Sequence, residues 1–367
     1  MGKTPIIYWA EPSLGEEEKE LLEQVIDSTW IGGNGPLVKQ FEKEFARKVG
    51  ARYALAVNNG TSALLCAILA LKEKWILPTF SVPTFTFIAT VNSVKVLDLE
   101  FDLIDCKRDT WNIDPKKVRT KTDVLITVDV GGLPCDYKEL RKRKQFILED
   151  AAEAFGATYR GKKIGSIADV TTFSLHSAKI ISSGEGGFCT TNDKELYEIM
   201  RSITNQGYTR EKKPWEYEHV RVGLNFRMTE MQAAIGLVQL RKSDKFLRLR
   251  QEIAKIYKEE LYKYGEFQKV PRDRTHPYFL FGILVEPKIR DKLCKEMLKQ
   301  GVQTKITWKP VHLQKPYLRK RKRKKFKVSE EIYRRIISLP IHNSLSEEDA
   351  KEVVDVFKRS WKKARKL

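Results

Sequence analysis

Apolar positions along this chain recur first at helical spacing and then in short runs with the length of buried strands. Over residues 15–28, Leu21, Leu22, Val25 and Ile26 fall among glutamates, which predicts an amphipathic helix ended by the break Gly32-Gly33-Asn34-Gly35-Pro36. A second helix is predicted over 37–49, where Val38, Phe41, Phe45 and Val49 form one stripe. Residues 53–57 then read as a strand and 62–71 as a buried helix. Further apolar runs at 94–97, 124–128, 145–148 and 170–174, separated by helical or turn segments, are what a mostly parallel sheet covered on both faces requires, so the fold class is α/β. From Arg227 a new helix begins, with Met228, Met231, Ile235, Leu237 and Leu240 on its apolar face, and the charged stretch to Lys263 continues it or adds a second. Beyond it, 278–285 and 302–308 read as strands and 289–300 and 347–361 as helices, a small α+β unit. The chain therefore divides into a large domain, 1–245, and a smaller one, 246–367.

Composition narrows the class. With 367 residues and 41% apolar side chains, a sizeable core is available. The balance is basic, 68 Lys plus Arg against 48 Asp plus Glu, a formal charge of +20. Most of this charge is dispersed, but Arg319-Lys320-Arg321-Lys322-Arg323-Lys324-Lys325 is dense enough to repel itself and reads as an exposed loop. A nucleic-acid patch is one use of it and a rim that attracts a nucleotide diphosphate another; no aromatic-interleaved binding motif accompanies it, and no nucleic-acid partner is expected. Five cysteines without CxxC spacing indicate neither a zinc site nor a disulfide framework. No apolar leader and no 18-residue apolar stretch is present, so the expectation is a cytoplasmic protein without membrane spans.

Candidate chemistry collects at three points. Lys179 closes the run Phe173-Ser174-Leu175-His176-Ser177-Ala178-Lys179 ahead of Gly184-Glu185-Gly186-Gly187, and a carboxylate pair lies upstream at Leu148-Glu149-Asp150. Taken singly, a lysine after an apolar strand is most often a solvated charge, and an aspartate at a strand end a turn or cap. The third point is Val57-Asn58-Asn59-Gly60-Thr61-Ser62-Ala63-Leu64, where a short strand ends in small residues and a helical pattern starts. Backbone N–H groups and hydroxyls at a helix start, aided by the helix dipole, hold a phosphate. Thr61 and Ser62 are the donors expected, although alone the same residues make an ordinary N-cap. Combined, the three points suggest pyridoxal phosphate, which needs a lysine amine to hold its aldehyde as a Schiff base and an aspartate to keep its ring nitrogen protonated.

Further stretches extend the pattern: Ser28-Thr29-Trp30-Ile31, Phe41-Glu42, Pro83-Thr84-Phe85-Thr86-Phe87-Ile88-Ala89-Thr90, Asp109-Thr110-Trp111-Asn112-Ile113-Asp114, Glu149-Asp150-Ala151-Ala152-Glu153-Ala154-Phe155-Gly156 and Gly223-Leu224-Asn225-Phe226-Arg227-Met228-Thr229. In this order and spacing, with the Lys179 loop and Asn59-Gly60-Thr61, the chain resembles the DegT/DnrJ family of nucleotide-sugar aminotransferases over nearly its whole length. These are pyridoxal phosphate enzymes of fold type I. Within the family, Trp111-Asn112, Glu153-Ala154-Phe155-Gly156 and 225–229 look most like the perosamine synthases, which aminate C4 of GDP-4-keto-6-deoxymannose. One departure stands ahead of Phe85, where Lys74-Trp75-Ile76-Leu77-Pro78-Thr79-Phe80-Ser81-Val82 replaces the family's usual Gly-Asp-Glu-Val turn.

The resemblance implies an aspartate-aminotransferase-like fold, a large domain with a seven-stranded, mostly parallel sheet between helices and a small C-terminal α+β domain. It implies that Lys179 carries the Schiff base and later moves protons, that Asp150 pairs with the pyridine nitrogen, and that Gly60, Thr61, Ser62 and Ser174 bind the cofactor at its phosphate. Phe87 falls where the family stacks an aromatic ring on the cofactor, though a phenylalanine in an apolar run is also plain core. Asn225 matches a residue that reaches the phosphate from the neighbouring subunit, which implies a homodimer with active sites at the interface; otherwise it is a turn residue. Glu153 lies three after the aspartate, near the ring oxygen, where a carboxylate is unfavourable unless a proton is held; it is either protonated or turned to substrate. His176 faces the sugar or packs. The implied reaction moves an amine from L-glutamate to a nucleotide-diphospho-ketosugar on GDP, UDP or dTDP. A related sugar dehydratase has His where this chain has Lys179, which argues against that activity, and a regulatory nucleic-acid-binding relative is the reading from another class.

Overall fold

The computed structural model describes residues 6–119, 121–209, 215–318 and 326–366. The basic run 319–325 lies outside the described residues. Seven strands, β1 (Tyr53–Val57), β2 (Phe80–Pro83), β3 (Phe101–Ile104), β4 (Val124–Val128), β5 (Phe146–Asp150), β6 (Val170–Ser174) and β7 (Gly187–Thr191), form one sheet. Their order is β1-β7-β6-β5-β4-β2-β3. Strands β2 to β6 run parallel, and β7 is antiparallel to both of its neighbours.

Side chains alternate across a strand, so a run apolar at every position must be covered on both faces. Leu125, Ile147, Phe173 and Phe188 pack on one face against Phe41 and Phe45 of α2 (Pro36–Val49) and Leu237 of α7 (Glu230–Leu261). Val124, Ile126, Leu148 and Val170 pack on the other against Ala67 and Leu71 of α3 (Gly60–Lys74) and Met200 of α6 (Lys194–Thr204). Burial of this order stabilises by roughly 25 cal/mol per Å² of apolar surface removed from water.

Helix α7 is one continuous helix of 32 residues, begun by a capping box in which Thr229 accepts from the Gln232 amide. Its apolar face passes from the large core at Leu237 and Phe246 to a second core at Ile253 and Tyr257. The division placed between 245 and 246 falls inside it. Beyond α7, a three-stranded antiparallel sheet of Glu266–Phe267, Phe281–Leu284 and Ile336–Leu339 is covered by α8 (Pro287–Lys299) and α10 (Glu347–Arg365).

Two sequence expectations are corrected. The run 94–97 is no strand: Ala89–Lys95 forms a helix, α4, because Val91 and Val94, three apart, are the fully buried pair while Val96 points outward. The edge strand follows at Phe101–Ile104 instead. Residues 302–308 make only isolated bridges, Val302 to Ile7 and Lys305 to Ser338. Among the described residues, no helix is long and apolar enough to cross a membrane.

Register brings the carboxyl ends of the strands to one edge. Pro83 lies opposite Ile104, Val128 opposite Asp150, and Gly187 opposite both Ser174 and Val57. Open α/β sheets bind ligands just outside that edge.

Candidate active site

Every candidate of the first rank is at this edge. Asp150 is the last residue of β5, Ser174 the last of β6, and Gly60 opens α3 two residues after β1 and its Asn58-Asn59 turn. Asn59 is the N-cap, its Oδ1 accepting from the Ser62 amide at 2.8 Å. The amides of Gly60 and Thr61 precede the first intrahelical donor and stay available at the positive end of the helix dipole. Only glycine fits at position 60, since a Cβ there would stand 2.8 Å from the Ser174 Cβ and 3.2 Å from its Oγ. The close approach gathers Gly60, Thr61 and Ser174 into one cup. Thr61 is exposed; Ser62 is buried and its amide is spent on the cap, which leaves Thr61 and Ser174 as the outward hydroxyls.

Asp150, 6% exposed, accepts from the Thr90 hydroxyl at 2.7 Å and from the Ala152 amide at 3.2 Å. Burial lifts its carboxyl above the ordinary aspartate range, and Thr90, the Ala152 amide and Lys179 oppose that lift. Lys179 follows a turn closed by its own amide on the His176 carbonyl. Its Nζ is 4.0 Å from the centre of the Phe279 ring. Loss of water lowers the amine below the usual lysine value, while Glu153 and then Asp150 draw it back up. Glu153 is buried and accepts from the Gly131 amide at 2.7 Å; burial raises its carboxyl. Gly131 has φ +71°, a conformation that suits glycine and turns its N–H toward Glu153.

Phe87 is no core residue. It is 53% exposed, its ring 5.1 Å from that of Trp308. His176 is exposed, with Nδ1 accepting from the Ala178 amide at 3.1 Å and Nε2 3.9 Å from Glu185. Asn225 is exposed, and its carbonyl accepts from the Asn58 side chain at 3.4 Å. The structure thus brings Lys179, Asp150 and Glu153 together and places the Gly60, Thr61 and Ser174 cup at the same edge.

Several residues at the site carry no sequence signal. Thr90 ends the stretch 83–90 and is 60 positions from the aspartate it holds. Thr84 bonds His312 Nδ1 at 2.7 Å across 228 positions, and His312 Nε2 is 3.3 Å from Glu330. Trp308 and Phe279 are likewise supplied by distant segments.

The residues fit pyridoxal phosphate: an amine poor in water, a buried carboxylate across from it, and an anion cup that a Cβ at position 60 would fill. Fold and site together define a pyridoxal phosphate-dependent sugar aminotransferase. The chain belongs to the DegT/DnrJ/EryC1/StrS aminotransferase family, whose model matches residues 12–358. It is similar to the GDP-perosamine synthase of Escherichia coli O157:H7, 36% identical over 349 residues that span 92% of this chain and 94% of the relative. It is also similar to the UDP-4-amino-4,6-dideoxy-N-acetyl-beta-L-altrosamine transaminase of Campylobacter jejuni serotype O:23/36, 29% identical over 98% of this chain and 99% of the relative. Among solved structures, Helicobacter pylori PseC, an aminotransferase of pseudaminic acid biosynthesis, superposes with a TM-score of 0.92 at 27% identity, covering 98% of this chain and 100% of that one.

Proposed function

We propose that the chain transfers the amino group of L-glutamate to C4 of a nucleotide-linked 4-keto-6-deoxy sugar, as a GDP-perosamine synthase does. The observation that carries this reading is the Lys179 amine, drawn out of water yet facing two buried carboxylates at the sheet's ligand-binding edge. The 36% identity with the Escherichia coli enzyme supports the choice of sugar. A UDP- or dTDP-linked ketosugar is the second reading, favoured by the Campylobacter relative.

Bound pyridoxal phosphate supplies a ring that accepts electrons from the carbon losing its proton. The protein does the rest. Lys179 takes the proton from the donor carbon and returns it at the acceptor carbon, a role that its proton affinity, lowered by burial, favours. Asp150, whose ionised form the Thr90 hydroxyl and the Ala152 amide favour against burial, grips the ring nitrogen. Gly60, Thr61 and Ser174 hold the phosphate, while Ser62, buried and bonded through its amide to Asn59, fixes the helix start that presents them. Phe87 offers a flat apolar face to the ring, and its exposure is the reason to assign it that use. Glu153 keeps a proton and donates it to the ring oxygen, while His176, on the rim, contacts the sugar.

Asn225 serves the partner's phosphate cup in a homodimer. Supporting this, the segment around it carries bare apolar side chains: Trp215, Tyr217, Val220, Val222 and Leu224 are all exposed, Val222 at 90%. A patch of that kind marks a protein interface. All five cysteines are free, which suits the reducing cytoplasm.

Incubation of the protein with L-glutamate and a panel of GDP-, UDP- and dTDP-linked ketosugars, with products weighed by mass spectrometry, tests the assignment. Amination of the GDP 4-keto-6-deoxy sugar is the expected result, with loss of product and of visible absorbance in Lys179→Ala. Amination of the UDP or dTDP sugars alone would replace the substrate, and turnover by Lys179→Ala would remove the mechanism.

A further inference from the structure

Arg250 is a buried cation without an anion. It sits midway along α7, 1% exposed, and no carboxylate pairs with it among the described residues. Burial pushes its guanidinium down to about 9, which leaves it charged at neutral pH. Taking such a charge out of water is costly unless its donors are met. Those of Nε and Nη1 are met by amide oxygens: Nε donates to Asn343 Oδ1 at 2.8 Å, and Nη1 donates to the carbonyls of Tyr278 at 3.1 Å and Ile341 at 3.0 Å, with Phe279 at 3.5 Å. The other end of the same Asn343 amide donates from Nδ2 to the carbonyl of Ile180 at 2.7 Å. Two backbone segments are thereby tied to one guanidinium. One is the Lys179 loop, gripped at the next residue, and the other carries Phe279, whose ring lies under the Lys179 Nζ.

We propose that Arg250 and Asn343 are positioning residues that set the Lys179 amine against the Phe279 ring, acting through the Ile180 and Phe279 carbonyls without touching cofactor or substrate. The inference rests on Lys179 being the working amine. The planar guanidinium spans several acceptors in fixed directions, which an ammonium does not, and each bond it makes takes a degree of freedom from the loop or the ring. Titratable neighbours divide cleanly. Asp150 and Glu153 face Lys179, whereas His342, kept neutral by burial with its value down at about 4, is the group that feels the Arg250 charge. Tightening the clamp therefore acts on Lys179 through distance and water, not through added charge.

Asn343→Asp separates positioning from stability. Its carboxylate still accepts from Arg250 Nε and gives the guanidinium an anion, but it has no donor for the Ile180 carbonyl. Two readouts on the full-length protein decide the matter: acetic anhydride labelling of Lys179 against pH under saturating glutamate, read by mass spectrometry, and steady-state kinetics. The labelling midpoint is expected to move up toward that of an ordinary lysine while the melting temperature stays within a few degrees of wild type. The kcat is expected to fall about 10- to 100-fold, the scale of an ångström-sized misplacement, with a smaller change in the KM for glutamate. A folded Asn343→Asp with the wild-type midpoint and kcat overturns the proposal. Asn343→Ala repeats the test if the aspartate variant does not fold, and failure of both to fold assigns the pair to stability alone and also overturns it. Visible absorbance retained by Lys179→Ala would instead sink the assignment of the amine, a separate failure.

Discussion

Thr90→Val removes one oxygen and nearly nothing else, at the point where the carboxylate behind the cofactor is held. The Thr90 hydroxyl donates to Asp150 Oδ2 at 2.7 Å, and among the described residues the only other donor to that side chain is the Ala152 amide at 3.2 Å. A hydrogen bond to an ionised, buried group contributes about 1.5–3 kcal/mol, and 1.4 kcal/mol is tenfold in an equilibrium constant. The cofactor Kd of Thr90→Val should therefore rise about tenfold or more, because in the role proposed for it Asp150 must be ionised to grip a protonated ring nitrogen. The same bond has a pH signature in cofactor-free protein. Burial raises the Asp150 carboxyl above its unfolded value, so its contribution to stability is whole below about pH 4 and is lost as pH rises through the folded value. Losing Thr90 raises the folded value further. The deficit of Thr90→Val relative to wild type should thus widen between pH 4 and neutrality. Urea unfolding at several pH values, with cofactor affinity from spectral titration, measures both. Thr90→Ser, which keeps the hydroxyl, should restore most of each effect. Equal cofactor affinity in Thr90→Val and wild type, with a stability deficit that does not vary with pH, would refute this account of Asp150.

Glu153→Gln keeps an acceptor for the Gly131 amide and so should fold, but it removes a titrating group with a raised value; the pH–rate profile should lose one limb, and an unchanged profile would show that the Glu153 proton plays no part. His276 is buried beside Gln268 and held down to about 3, so neutrality of its ring contributes stability that is present above its ordinary 6.5 and lost as pH falls toward 3. His276→Gln should flatten acid unfolding across that window, measured by circular dichroism; a curve as steep as wild type would exclude His276 as its source. Mixing Lys179→Ala with Asn225→Ala subunits after reversible dissociation should recover about a quarter of wild-type activity, because half the dimers are hybrids and each hybrid regains one intact site. No recovery in verified hybrids would mean that each subunit's site is self-contained.

Local signals place the candidate site wherever chemistry and chain neighbourhood coincide. Asp150 and Glu153 are three apart after one strand, and Asn59 through Ser62 are contiguous, so a strand end and a helix start were readable as carboxylate and anion cup. Periodicity fails at 94–97, where Val94, Val96 and Leu97 read as a strand although Val94 is buried with Val91, three residues before it and at helical spacing. It also fails at 302–308, where Val302, buried, and Ile306 and Trp308, partly buried, pack into three separate clusters and not along a ladder. Phe87 was ambiguous in the string, since an apolar run does not say which ring is left bare; its exposure beside Trp308 answers that.

Residue types and short spacings are enough to say that this chain makes an α/β sheet and to single out a lysine, an aspartate and a helix start as candidates at its edge, because each of those features is built within a few residues. Folding alone decides who tunes them. The hydroxyl on Asp150 arrives from 60 positions away, the amide on the Ile180 carbonyl from 163, and the Thr84 partner of His312 from 228. A hydrogen bond reaches about 3 Å whatever the length of chain between its ends. Water leaves the Lys179 amine only in the folded chain, where Phe279, Glu153 and Asp150 come to it from separate segments.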